Sequence, residues 1–444
     1  MSGELLTVLM FASLAVLLVT GLPLTFVLGG LSVVFVLLLW GSGGVAMLIF
    51  PTYGLMKYFI LLAVPLFIFM GIILEKSGVA DDMFGMVHSW AGGLGGGLAM
   101  GTILICAVIA AMVGISGAAT VMMGLIAIPA MLKRNYSKSL VTGTVQAGGA
   151  LGFLIPPSIP FLVYGFIARV SIGRLFLGGV FPGLMLATFY IVYIGIRAKL
   201  QPDIAPALPP EERVGWTKRL KATRSLILPF LLISIVFGCI ILGITTISEA
   251  AVVGAMGAMG CALVKRTLTW AIVKDALYRT ARLTGMVMWI ALAAVCFGKI
   301  FSGLGASEFV KETLLGMGLG PWGILILMQL SFFMLGCFLD DTAILFITCP
   351  LYVPIVAGLG FDVVWFGVLY VVNMQMAFLT PPFGYNLFYL RGLTPYIKEK
   401  TGVDITMGDL YRSVLPFIAL QAFGLAMVMI FPQIAMWLPT ITMG

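Results

Sequence analysis

The chain has 444 residues, 61% of them hydrophobic and only 9% charged, with a mean hydropathy of +1.16. No soluble domain carries that balance, and apolar runs of this kind read as membrane spans of roughly 20 residues. The net charge of +8 would suggest nucleic acid in a soluble protein, but here Lys and Arg fall mainly in short loops, where they set membrane orientation and imply no nucleic-acid partner.

Polar breaks divide the chain into roughly 11 to 13 membrane segments, some re-entrant, in an all-α polytopic fold. Met1–Leu6 has no basic leader region and no small-residue cleavage site follows closely, so the first segment is expected to be retained. Leu5–Thr20 and Thr25–Trp40 flank Gly21-Leu22-Pro23 and read either as one kinked pair or as two tilted helices; residues 1–60 are expected to form N-terminal scaffold helices. Tyr58–Leu74 follows, with Pro65 inside it, and Glu75-Lys76-Ser77-Gly78 ends it.

A glycine-rich stretch, Gly92–Gly97, then leads through apolar sequence to the polar cluster Gly114-Ile115-Ser116-Gly117-Ala118-Ala119-Thr120. A basic turn follows (Lys133, Arg134, Lys138), and then the break Ile155-Pro156-Pro157-Ser158-Ile159-Pro160. About 225 residues later the same order recurs: Gly336-Cys337-Phe338-Leu339-Asp340-Asp341-Thr342, then Thr380-Pro381-Pro382-Phe383-Gly384-Tyr385-Asn386. Flanking sequence repeats too. Ile73–Asp81 resembles Ile300–Glu308, and Ser171–Phe176 before Pro182 resembles Ile405–Tyr411 before Pro416. The repeats are expected over 61–190 and 285–430, with a tail at 431–444.

Charge placement makes them inverted. Lys133–Lys138 is basic, whereas its counterpart Gly358–Asp362 has no base. The positive-inside rule puts the first turn in the cytoplasm and the second outside, with the C-terminus periplasmic. Residues 191–284 link the repeats. Arg197–Arg224, with seven bases, reads as a cytoplasmic loop, and Ser225–Leu242 with Ala250–Val264 as a membrane hairpin. Ser248 is expected to cap the second arm with Glu249 in its first turn, and Gly254, Gly257, Ala258 and Cys261 to allow close packing. Lys265–Arg282 reads equally as an interfacial amphipathic helix or as a connecting loop.

A helix break in lipid is tolerated only where it lines a cavity or is covered by protein, and two at matching positions point to a transporter's binding site. A sodium ion takes several hard oxygen donors, which unwound carbonyls and short polar side chains supply. Gly114, Ser116 and Thr120 with the backbone of Gly152, Ile155 and Pro157 make one such cage; Gly336, Asp340, Thr342, Thr380 and Pro382 make the other. Half-helix N-termini meanwhile favour an anionic substrate. Gly and Ser also occur where membrane helices simply pack, and it is the paired occurrence that argues for a site. Lys299 either snorkels to the interface or faces the cavity and binds a carboxylate. Ser158, Asp341 and Asn386 join it as substrate candidates. Cys106, Cys239, Cys261, Cys296, Cys337 and Cys349 lie in apolar segments without C-x-x-C spacing and read as packing residues. With His88 the single histidine, transition-metal sites and hydrolase triads have little material; no enzyme and no cofactor are expected. Inverted repeats also argue against a symmetric pore.

Leu151–Pro160, Ser171–Phe176 with Pro182-Gly183, and Leu379–Phe388 together resemble the large membrane (permease) subunit of a tripartite ATP-independent periplasmic transporter, over essentially the whole length. The resemblance implies an elevator-type secondary transporter in the bacterial inner membrane, driven by sodium as coupling ion. It implies two hairpin tips and two helix breaks, each tip–break pair holding sodium. It also implies a smaller membrane subunit of about four helices, a periplasmic substrate-binding protein, and an organic acid as substrate. The family often has Asp-Pro-Thr where this chain has Asp340-Asp341-Thr342, and Thr-Pro-Thr-Glu where it has Thr246-Ile247-Ser248-Glu249. The alternative is a standalone sodium- or proton-coupled carboxylate symporter or antiporter.

Overall fold

A computed structural model describes residues 3–443 apart from 92, 115, 382 and 383. Every regular element among the described residues is helical. Eight of the described helices are long and apolar enough to cross a membrane, and the hairpin arms and half-helices are mostly shorter. The N-terminal segments are two helices, Gly3–Val19 and Leu24–Trp40, joined by a turn in which Gly21 takes φ +80°.

Ala63–Lys76, Ile227–Ile241 and Ile247–Val264 pack together because one face of the last is small. A Cβ on Gly254 would lie 2.6 Å from the Met70 sulfur, and one on Gly257 would lie 2.4 Å from Leu232. The cap differs from expectation. Thr246, not Ser248, caps this helix through a reciprocal pairing with Glu249, while Ser248 donates to the Phe59 carbonyl at 3.0 Å.

Lys265–Thr269 is a turn, and Trp270–Arg282 is the start of a longer helix and not a separate one. Thr269 caps a single helix, Trp270–Gly303, whose first turns are polar and whose remainder is apolar. No proline interrupts it, so nothing stops the first turns from continuing. Arg279 fixes its polar part to Glu75 with two 3.1 Å bonds, and Lys265 pairs with Asp82. The expected divisions at 190 and 284 fall inside Ile172–Leu200 and inside this helix.

Two series of helices repeat in order. The first is Ala63–Lys76, Val79–Ala91, a hairpin of Gly97–Val113 and Ser116–Leu132, a broken helix of Lys138–Ala150 and Ile159–Ala168, and a trailing helix Ile172–Leu200. The second follows the end of Trp270–Gly303 with Ala306–Gly316, a hairpin of Gly320–Gly336 and Asp341–Gly358, a broken helix of Val363–Ala377 and Tyr385–Thr401, and Met407–Ile430. Turn chemistry repeats with them. Left-handed Asn135 and Gly360 close the hairpins, Ser137 and Asp362 cap the broken helices, and Ser171 and Thr406 cap the trailing helices.

Contacts between the repeats are reciprocal, as a two-fold requires. Ser116–Leu132 packs on Tyr385–Thr401, and Asp341–Gly358 on Ile159–Ala168; Lys138–Ala150 packs on Met407–Ile430, and Val363–Ala377 on Ile172–Leu200. Phe153 and Phe378, equivalent residues at the two breaks, meet edge to face at 4.5 Å. The repeats run in opposite directions. Lys138 starts the first broken helix beside Asp404 and Asp409, which lie after the end of the second. At the other end Asp362, which starts the second, pairs with Arg174 just beyond the end of the first. The linker docks on the Lys138 end through Arg134–Glu212 at 2.9 Å, with His88 bonded to the same guanidinium, and through Ser137 and Gly96 amides on Ile204 and Ala205 carbonyls. One end of the molecule is therefore basic, and the C-terminal helix Gln433–Met443 packs near the opposite one, where Met443 touches the Gly173 position.

Inversion has a direct consequence for accessibility. Single cysteines introduced as Lys133→Cys and Gly358→Cys, both at exposed positions, are expected to react with impermeant thiol reagents from opposite faces of oriented vesicles. Labelling from the same face would contradict the inverted arrangement.

Candidate functional site

The first hairpin turns at Gly114, which takes φ +68° and donates to the Ala110 carbonyl at 3.0 Å. Its lack of a side chain lets the tip seat in the break. A Cβ there would lie 2.2 Å from the Pro157 carbonyl oxygen, and the Ile159 amide reaches the Gly114 carbonyl at 3.5 Å. The break arises because Lys138–Ala150 tightens at Leu151–Phe153 and then meets two residues, Pro156 and Pro157, without an N–H. Ser158 restarts the helix. Its hydroxyl accepts from the Phe161 amide and donates to the Phe153 carbonyl. Among the described residues, no backbone N–H donates to the carbonyls of Ile155 and Pro157. Thr120 closes the group: its hydroxyl donates to the Ser116 carbonyl at 3.1 Å and sits 2.0 Å from where a Gly149 Cβ would be.

The second tip is built differently. Gly336 lies against the end of Val363–Ala377, where a Cβ would be 2.5 Å from that of Ala377. Asp340 caps the second arm, its carboxylate accepting from the Thr342 amide at 3.2 Å. Asp341 is 7% exposed, and its backbone carbonyl accepts from the Tyr370 hydroxyl at 2.7 Å. Neither aspartate forms an ion pair with a described base. Thr380 donates to the Met376 carbonyl at the end of the half-helix, and Gly384, φ +47°, starts the next. Pro382 lies outside the described residues.

By helix starts, Asp341 is the counterpart of Ser116, not of a residue further along the cluster, and Gly336 has no match at Gly114 because the second arm ends earlier. The two tips thus present a hydroxyl and a carboxylate at equivalent positions. The first tip is also joined to the second break across the repeats. The Ser116 hydroxyl donates to the Asn386 side-chain oxygen at 2.8 Å, and the Asn386 amide donates to the Gln146 carbonyl at 3.2 Å. All three residues are buried. So the first tip rests on both breaks, whereas the sequence suggested a separate pair for each tip. Gln146 and Tyr370 were not singled out. A lone amide within the Gly- and Thr-rich stretch 142–149 was the available signal for the first.

The structure does not bring all substrate candidates together. Ser158 is buried and its hydroxyl is committed within the break. Asn386 belongs to the first tip's network. Lys299 is exposed and lines a separate cavity of about 320 Å³ with Arg169, Ser302, Tyr58, Phe166 and Phe346.

Residues 11–434 match the family described as tripartite ATP-independent periplasmic transporter, DctM component. The chain is 33% identical to the C4-dicarboxylate TRAP transporter large permease protein DctM of Vibrio cholerae, over 98% of each chain. It is 30% identical to the sialic acid TRAP transporter large permease protein SiaM of the same organism, over 96% of this chain and 97% of that one. Among solved structures, the YdaH transporter of Alcanivorax borkumensis superposes with a TM-score of 0.68 at 15% identity, over 96% of this chain and 98% of that one. That likeness concerns the fold.

Tip seating is testable by adding one methyl group. Gly114→Ala places a Cβ against the Pro157 carbonyl at a backbone angle that disfavours side chains, with an expected loss of about 1–3 kcal/mol in stability and loss of transport. Gly392→Ala faces open space, and a change of under about 1 kcal/mol is expected. Thermal unfolding of the purified variants checks this; equal behaviour would contradict a close-packed tip.

Proposed function

The chain belongs to the DctM component family of tripartite ATP-independent periplasmic transporters, a transporter permease and not an enzyme, and we propose that it imports an organic acid by coupling its entry to sodium. The observation that supports this reading is the first tip seated on both breaks, with buried Ser116, Thr120 and Asn386 and unwound carbonyls, and a second tip carrying buried Asp341 at the equivalent helix start. The adjoining Asp340 and Asp341, the second of them buried, have no described base to neutralise them, and such a pair in a membrane protein is suited to a cation. Gly114, Ser116, Thr120, Gly152, Ile155 and Pro157 would supply one sodium cage; Gly336, Asp340, Thr342, Thr380 and Pro382 the other. Cation binding lets the tips close; a closed tip allows the hairpins and broken helices to slide, elevator fashion, against the scaffold helices.

The relatives at 33% and 30% identity are named for a C4-dicarboxylate and for sialic acid, both carboxylic acids, which supports an organic acid without naming it. The reading includes a smaller membrane subunit, a periplasmic binding protein that delivers the substrate, and an inner-membrane location. It places the basic linker end in the cytoplasm and the C-terminal helix on the periplasmic side. A second reading, proton coupling, is favoured by one observation: Asp340 and Asp341 adjoin with no described base beside either.

Uptake into proteoliposomes tests the proposal. Accumulation of a labelled dicarboxylate is expected to need an inward sodium gradient and the loaded binding protein, and Asp341→Asn is expected to lower it at least tenfold, the scale of an unpaired buried group. Uptake driven by a pH gradient alone would contradict sodium coupling, and uptake without the binding protein would favour a standalone symporter.

A further inference from the structure

The cavity that Lys299 shares with Arg169 lies apart from the tips and breaks, and its walls come from two bodies. Tyr58 follows the N-terminal helices, and Lys299 and Ser302 lie on Trp270–Gly303, which packs on Leu24–Trp40; Phe166, Arg169 and Phe346 belong to the first broken helix and the second hairpin. Arg169 closes Ile159–Ala168, two residues before the trailing-helix cap and near the Arg174–Asp362 pair. Lys299 sits one turn from the end of a helix whose other end is tied down at Glu75. Both therefore face the end opposite the basic linker.

Two features mark the pair as more than surface charge. Neither Arg169 nor Lys299 forms an ion pair with a described acid, although the surrounding walls are largely apolar. Arg169 also holds φ +55°, a left-handed conformation that favours glycine. The corresponding cap of Tyr385–Thr401 is a glycine, Gly402 at φ +71°. The first repeat keeps an arginine where the second has a glycine, so it alone sets a cation at this helix end in the cavity wall.

We infer that Arg169 and Lys299 form an anion-capture site for an organic acid, in the cleft between the scaffold and the moving helices, on the end opposite the basic linker. The guanidinium takes a carboxylate through two N–H groups while the ammonium acts as a point charge. Phe166, Phe346 and Tyr58 cover the acid's carbon skeleton, and Ser302 offers a hydroxyl. Since the walls belong to two bodies, sliding of one against the other would open the cleft and release the acid towards the buried centre. The assignment rests on the organic-acid reading for its substrate class, but its test does not depend on coupling.

Ser302→Cys places a reporter thiol in the cleft of the full chain. Its reaction with an anionic methanethiosulfonate (sulfonatoethyl) and a cationic one (trimethylammonioethyl) is followed by peptide mass, with rates normalised to free 2-mercaptoethanol. The anionic reagent is expected to be favoured roughly tenfold, and millimolar succinate to slow it. Adding Arg169→Gln and Lys299→Gln should bring the ratio to roughly one and abolish the succinate effect, while Arg169→Lys with Lys299 intact keeps the selectivity. Equal rates for the two reagents, a ratio the double variant leaves unchanged, or selectivity without slowing by succinate would each overturn the site. Sodium-dependent uptake that persists while charge selectivity is absent would sink this inference and leave the proposed function standing.

Discussion

Within lipid, every backbone N–H and carbonyl has to find a partner inside the protein. Pro156-Pro157 removes two donors from the middle of a membrane helix, and the second broken helix stops at Ala377 and resumes at Tyr385. Such breaks persist only if something covers them. The hairpin tips do so, and this dictates much of the sequence around them. Gly114 has no side chain because the Pro157 carbonyl occupies its place, Gly149 has none because Thr120 does, and Gly336 has none because Ala377 does. Covering a break this closely leaves the Ile155 and Pro157 carbonyls without a backbone donor among the described residues, and these are the oxygens that the proposed cation would use.

The inverted repeat supplies the second half of the logic. Opposed directions bring the two breaks side by side, with Phe153 against Phe378 on the pseudo-two-fold axis. They also let Asn386 of one repeat reach Ser116 of the other. A hydrogen bond between buried neutral groups contributes only about 0.5–1.5 kcal/mol net, but leaving either partner bare costs about 1–3. The link therefore acts more as a constraint on the tip's position than as a source of stability. A tip that depends on both breaks senses the state of the whole centre. The second tip has a longer turn and places Asp340 and Asp341 where the first has short neutral side chains, so the two tips differ in backbone and in chemistry.

Much of this was legible in the sequence because breaks, caps and charge placement are local signals. Pro-Pro within apolar sequence, the basic turn at Lys133–Lys138 and its counterpart without a base at Gly358–Asp362 each act within a few residues. What was not legible is tertiary. Ser116 and Asn386 are 270 residues apart, and nothing in either segment indicates the other. Thr246 rather than Ser248 became the cap because Ser248 was drawn to the Phe59 carbonyl. Polar residues after Lys265 suggested an interfacial helix or a loop; the chain instead turns at Lys265–Thr269, and a helix capped by Thr269 and held to Glu75 by Arg279 runs from Trp270 to Gly303. Arg169 was not singled out; its left-handed backbone and its place in one cavity with Lys299 exist only in the folded chain.

The central claim is that the tip–break centre binds sodium and that binding stabilises the closed tips. The most direct measurement is the melting temperature of the purified protein as sodium replaces choline at constant ionic strength. A ligand that binds only the folded state adds RT ln(1 + [L]/Kd), about 2.7 kcal/mol at a hundredfold excess over Kd. The account predicts a continuing rise in melting temperature with the logarithm of sodium concentration and none with potassium. An equal rise with potassium, or no rise with sodium, would contradict it.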